Sequence, residues 1–192
     1  MISASEAVKV INRHRNQSVV VSTSKALREW NQISNQRDLD VDILDCMDKV
    51  ADVALGISIA RPDKKILILD SDSALRTNLS AMITTAHIAP RNLIHFLFED
   101  CDHSSTDGLP IQGLDSLDLV SFAREAGYAQ AHSFDDLEDF ALSLEDMLGE
   151  QGPVFIVLKV SHTYPSLSNP DRNMAESLSI VKDMLFKIDS RS

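Results

Sequence analysis

Apolar positions recur along this chain in two alternating rhythms. Ala4 to Arg15 carries Ala7, Val8 and Ile11 near helical spacing, Ser18 to Ser22 is rich in β-branched residues, and Ser24 caps a helix running through Trp30. Asp48 to Ala60 is a helix of small apolar residues that Arg61-Pro62 stops, and Lys65 to Leu69 is a short apolar run bounded by charge. Such a run is what a strand buried on both faces of a parallel sheet requires. The alternation continues with Leu75 to Ala86 helical, Leu93 to Phe98 a strand, Leu117 to Ala126 helical and Tyr128 to His132 a short strand. Asp135 to Leu148 (helix), Val154 to Val160 (strand) and Ala175 to Ile188 (helix) complete it. Alternating β and α segments joined by short loops predict an α/β fold, a doubly wound, mostly parallel sheet with helices on both faces.

Composition narrows the class. With 192 residues, 44% of them hydrophobic, and only six Gly and six Pro, the chain can bury one ordinary core, and residues 1–192 are read as a single domain. No stretch reaches the roughly 18 uncharged apolar residues of a membrane span. The start, Met1-Ile2-Ser3-Ala4-Ser5-Glu6, lacks the basic-then-apolar pattern of a signal peptide, so a cytoplasmic location with no membrane partner is expected. Cys46 and Cys101 show no metal-type pairing and are read as free thiols. A net charge of -11 argues against nucleic acid as a partner, since that needs a positive face. The densest acidic cluster, Asp135-Asp136-Leu137-Glu138-Asp139, falls where a helix begins and suits its dipole.

Candidate chemistry gathers between Lys65 and Asp102. One apolar run ends in Asp70-Ser71-Asp72-Ser73 and another in Glu99-Asp100-Cys101-Asp102, so two strands deliver carboxylates to their carboxyl ends. In an open parallel sheet that edge is where ligands bind, and clustered hard oxygens there suit a divalent cation such as Mg2+ holding a diphosphate. His87, His95, His132 and His162 show no triad spacing with a nucleophile, so hydrolase chemistry has no support. The stretch from Lys65 to Arg76 is locally similar to the opening of a phosphoacceptor receiver domain, but the acceptor aspartate would then fall in Asp115-Ser116-Leu117-Asp118, which reads as a helix start.

The run from Ala54 to Asp70, with Arg61-Pro62-Asp63-Lys64-Lys65 ahead of the apolar residues, resembles the segment that precedes the Gly-Asp-Gly motif of thiamine diphosphate enzymes. The similarity continues through Asn78-Leu79, Pro90-Arg91-Asn92-Leu93, Ser105-Thr106-Asp107-Gly108-Leu109-Pro110 and Leu117 to Tyr128. Between Val19 and Val160 the chain resembles the small, diphosphate-binding subunit of the sulfopyruvate and phosphonopyruvate decarboxylases. The resemblance implies thiamine diphosphate and Mg2+ as cofactors and a small 2-oxo acid as substrate. It also implies a heteromer with a pyrimidine-binding subunit, or otherwise a homo-oligomer. By position, Asp72 matches the motif aspartate that binds the cation, Asp100 stands where an asparagine is the second ligand, and Asp102 would offer a carbonyl as the third. The residues implied to line the cofactor are Cys46, Met47, Ser71, Asp72, Ser73, Asp100, Asp102, His103 and Ser104, with Met47 supporting the bent cofactor. No catalytic residue is assigned to this chain, which is expected to be inactive alone.

Three motifs depart from the family pattern together. Ser71-Asp72-Ser73-Ala74 stands for Gly-Asp-Gly-Ser, Asp45-Cys46-Met47-Asp48 for Gly-Ser-Met-Gly, and Ser105-Thr106-Asp107-Gly108-Leu109 for Ser-Thr-Gly-Gly-Gln. Glycines in such places let backbone N–H groups approach phosphate oxygens closely. Two readings follow: a working cofactor-binding subunit with unusual residues, or a relative that has kept the fold, lost the cofactor and acts as an interaction or regulatory subunit.

Overall fold

A computed structural model describes residues 1–100, 117–162, 168 and 170–187. The strands are β1 (Ile2–Ser3), β2 (Val19–Thr23), β3 (Asp40–Ile43), β4 (Ile66–Ser71), β5 (Leu93–Asp100), β6 (Gln130–Phe134) and β7 (Val154–Ser161). The helices are α1 (Ala4–His14), α2 (Ser24–Ile33), α3 (Val50–Ala60), α4 (Asp72–Thr77), α5 (Ser80–Ile88), α6 (Leu119–Ala126), α7 (Leu137–Gly149) and α8 (Met174–Lys187). Short 3-10 turns at Arg37–Leu39 and Met47–Lys49 lead into β3 and α3.

Every described strand pairing is parallel, in the order β3-β2-β4-β5-β7. The far edge of β7 is shared, with β6 beside Val154 to Leu158 and β1 beside Val160 and Ser161. The period of two along each strand sorts its side chains between two helical layers. Val20, Leu67, Leu69, Ile94, Phe96 and Phe98 meet Trp30 and Phe140 in one buried cluster with α1, α2 and α7. Val19, Val21, Ile66, Ile68 and Leu93 meet α3 and α8, while Leu97, Phe155 and Val157 meet α5 and α6. The doubly wound α/β fold read from the sequence is the fold observed. Among the described residues, no helix is long and apolar enough to cross a membrane.

Four local expectations are corrected. β3 lay in a segment given no element, because Asp40-Val41-Asp42-Ile43 does not read as a buried run. The single helix from Leu75 to Ala86 is two, broken at Asn78, whose side-chain amide donates to the Asp48 carbonyl at 2.8 Å and to Asp52 at 3.0 Å. α6 starts at Leu119 rather than Leu117, with Asp118 as its N-cap accepting from the Val120 and Ser121 N–H groups. β6 runs two residues later than the expected Tyr128 to His132, since Gly127, at φ 106°, ends α6 and leaves Tyr128 packed into the core. At the entry to β7 a Cβ on Gly152 would stand 2.4 Å from the Leu93 carbonyl oxygen, a close approach only glycine permits.

Candidate functional site

The winding places a cleft between β2 and β4. From β2 the chain moves outward to β3, then returns across β2 to β4 and continues to β5. The connections leaving β2 and β4 therefore diverge, and the crevice beyond their carboxyl ends is the position where open α/β sheets bind ligands. The segments reaching it are Ser24-Lys25 after β2, Cys46-Met47 after β3, Ser71-Asp72-Ser73 at the end of β4, and Asp100 at the end of β5.

Buried polar contacts fix the β4 turn. The Ser71 N–H donates to Asp70 Oδ1 at 2.7 Å, the Ser73 N–H donates to Asp72 Oδ1 at 2.7 Å, and the Ser71 hydroxyl accepts the Ala74 N–H as the cap of α4. The hydroxyls of Ser71 and Ser73 are 3.1 Å apart. Behind them, Asp70 Oδ2 lies 3.1 Å from His95 Nε2, and His95 Nδ1 lies 3.4 Å from the Tyr128 hydroxyl. All three side chains are buried, and burial pushes the Asp70 carboxyl up against the opposing pull of His95. The Tyr128 hydroxyl is likewise pushed up by burial. This chain anchors the backbone of the turn from inside the core.

Charge converges in front of it. Lys25 makes an ion pair with Asp100, which is 8% exposed. Burial raises the Asp72 carboxyl above its ordinary range, and Asp100 adds to that rise, while the Ser73 N–H, Arg76 and Lys25 oppose it. Asp72, Asp100 and Lys25 thus act on one another across the carboxyl end of β4. Ser24 adopts a left-handed conformation, φ 53°, at the turn from β2 into α2, a backbone cost of about 1–2 kcal/mol for a residue with a side chain. Its hydroxyl donates to Met47 Sδ at 3.0 Å, which brings Met47 to the mouth of the cleft.

The residues predicted for this site divide into three groups. Ser71, Asp72, Ser73 and Asp100 are gathered at adjacent strand ends, and Met47 joins them through Ser24. Cys46 turns the other way, its thiol 3.6 Å from Met174 Sδ of α8 and packed on the α3 and α8 cluster. Asp102, His103 and Ser104 lie outside the described residues. Asp48 pairs with Lys49 at 2.8 Å. Sequence reasoning missed Lys25. Like Asp72 it lies just past a strand's carboxyl end, but that position alone does not mark a lysine as a counter-ion.

The groups implied by the resemblance can be tested against these residues. Among the described residues no three His, Cys, Asp or Glu side chains converge on a point that could hold a metal. Asp100, the implied second ligand, is already engaged by the Lys25 ammonium. As arranged here, the described residues do not fit a divalent cation. For a diphosphate, donors are present in the Lys25 ammonium and the hydroxyls of Ser71 and Ser73, in place of the backbone cradle that glycines would give.

No protein-family model matches the chain. It is 29% identical over 143 residues to a phosphonopyruvate decarboxylase from Streptomyces hygroscopicus, a match covering 74% of this chain and 35% of that protein. It is 28% identical over 113 residues to the sulfopyruvate decarboxylase subunit beta of Methanothermobacter thermautotrophicus, covering 59% of this chain and 57% of the subunit. The chain thus spans about a third of the length of the phosphonopyruvate decarboxylases it matches. Among solved structures, a protein described as a thiamin diphosphate-dependent enzyme from Mycobacterium smegmatis superposes with a TM-score of 0.68 at 14% identity, over 85% of this chain and 32% of that one. The thiamine diphosphate-dependent 4-hydroxybenzoylformate decarboxylase of Rhodococcus jostii RHA1 gives 0.62 at 13% identity, over 84% and 33%. The chain is a relative of the phosphonopyruvate and sulfopyruvate decarboxylases and has the fold found in thiamine diphosphate-dependent enzymes.

Proposed function

We propose that this chain is the diphosphate-binding-type subunit of a 2-oxo acid decarboxylase of the phosphonopyruvate or sulfopyruvate kind, and that it works with a separate chain carrying the pyrimidine-binding domain. The observation that carries this reading is the register of the similarity with the fold. The stretch that resembles the cofactor motif, Ser71-Asp72-Ser73, falls at the carboxyl end of β4, beside the switch point, with Asp100 on the neighbouring strand. Thiamine diphosphate, when bound, supplies the electron sink that lets a 2-oxo acid lose CO2. This chain's own part is anchoring. The Ser71 and Ser73 hydroxyls and the Lys25 ammonium offer donors to phosphate oxygens, the Asp70-His95-Tyr128 contacts hold the turn, and Met47 stands at the mouth of the cleft.

The test is reconstitution. Mixing the purified chain with a pyrimidine-domain protein and thiamine diphosphate should release CO2 from phosphonopyruvate or sulfopyruvate, and each protein alone should not. A mixture that forms a complex yet decarboxylates neither acid would overturn the catalytic reading. The alternative, a non-catalytic partner that has kept the fold, is favoured by one observation, the carboxylate surplus around the cleft, where Asp72 and Asp100 would repel a diphosphate and Lys25 is paired with Asp100.

A further inference from the structure

We propose that the Lys25 ammonium is this chain's built-in counter-cation at the switch point, occupying the role that the resemblance gives to a divalent metal, so that whatever the cleft binds is bound without Mg2+. The inference rests on the reading above only in assigning Asp72 and Asp100 to the places of metal ligands.

Topology is the first support. Lys25 follows β2 and Asp100 ends β5, and these strands are separated in the sheet by β4. Neighbouring strands lie about 4.8 Å apart, so the ion pair spans roughly two strand spacings. The lysine side chain therefore crosses the end of β4, above the Ser71-Asp72-Ser73 turn, to reach its partner. A cation bridging Asp72 and Asp100 would have to occupy that same path.

Charge is the second. Two carboxylates near one another repel, and Asp100 is buried at the end of β5 while Asp72 is partly buried at the start of α4. A divalent ion would cancel both charges, whereas one ammonium cancels one and attracts both. The Lys25 side chain is 33% exposed and its partner's 9%, a setting in which an ion pair keeps its strength better than at an open surface. The left-handed Ser24 immediately before it is a local strain that sets the direction in which α2 leaves β2, and with it the starting point of the Lys25 side chain.

The experiment is a titration of Mn2+, followed by electron paramagnetic resonance, into the full chain and into its Lys25→Gln variant, with circular dichroism to confirm that both are folded. Wild type should bind no Mn2+ saturably in the low-millimolar range, and Lys25→Gln should gain affinity by at least about tenfold, the effect of removing one nearby positive charge. Adding Asp72→Asn to Lys25→Gln should abolish the gain. Saturable Mn2+ binding by wild type that Asp72→Asn removes, or a folded Lys25→Gln variant with no gain, would overturn the proposal. In a second arm, thiamine diphosphate is titrated into the complex with a pyrimidine-domain partner, with and without EDTA. Binding that survives EDTA supports the inference, and binding lost in EDTA overturns it. Absence of thiamine diphosphate binding in both conditions counts against the cofactor reading and leaves the inference to stand or fall on the Mn2+ result.

Discussion

Asp72 is held in a place that suits its neutral form better than its charged one, because burial and the facing Asp100 outweigh the help of Arg76, Lys25 and the Ser73 N–H. A carboxyl whose folded pKa is raised binds its proton more tightly in the folded state. It subtracts stability above that raised value and nothing below the ordinary range near 4. Asp72→Asn should accordingly raise the melting temperature at pH 7, and the gain should vanish at pH 3, as read by scanning calorimetry. A lower melting temperature at pH 7 would refute this. Asp63 has the opposite sign. Its two hydrogen bonds from Arg61 hold it down to about 2, so its contribution is present above the ordinary carboxylate value of 3.8 and is lost as the pH falls through 2. Because Asp63 is more than half exposed, Asp63→Asn should cost less than about 1 kcal/mol at pH 7 in urea unfolding. At this scale the acidic residues after β4 and β5 were legible as site candidates, since each follows an apolar run. Lys25 was not, because an isolated lysine near the start of a helix has no pattern in one sequence that tells a counter-ion from a solvated side chain.

Helices and central strands were legible wherever packing and periodicity agree, as in β4 and β5, which are buried on both faces and read as apolar runs. β3 shows why the rest was not. Asp40 and Asp42 are fully buried, which only partners distant in sequence make tolerable. Asp40 pairs with Arg15 at 2.8 Å, and the Arg15 guanidinium lies 5.1 Å from the centre of the Trp30 ring. Asp42 pairs with Arg37 at 2.7 Å and with Arg172 at 2.6 Å, and the Arg172 guanidinium also donates to the Asp40 carbonyl. An edge strand is thus fastened to α1, to the turn at Arg37 and to the segment leading into α8 by charges that looked like loop residues. Asp42→Ala should cost about 3–5 kcal/mol in urea unfolding, since it removes the buried carboxylate that the Arg37 and Arg172 guanidinium groups share. Arg172→Met added to Asp42→Ala should cost less than the sum of the two single changes. A loss below about 1 kcal/mol for Asp42→Ala would show that the network contributes little. The break at Asn78 was hidden for the same reason, being set by hydrogen bonds to Asp48 and Asp52 rather than by glycine or proline.

For the whole molecule, strand order decides where chemistry can occur. Alternating β and α segments announced a parallel sheet, but the switch point follows from β3 lying outside β2, and β3, like the short β1, was a strand the sequence concealed. In the proposed assembly a second chain brings the pyrimidine-binding domain to this cleft. The most direct test of that account is calorimetric titration of thiamine diphosphate into the purified complex of this chain with a pyrimidine-domain partner. Saturable binding at one cofactor for each copy of this chain, lost when this chain is omitted, is the predicted result. No binding by the assembled complex, with Mg2+ or without it, would contradict the account and leave a chain that shares the decarboxylase fold but not its cofactor.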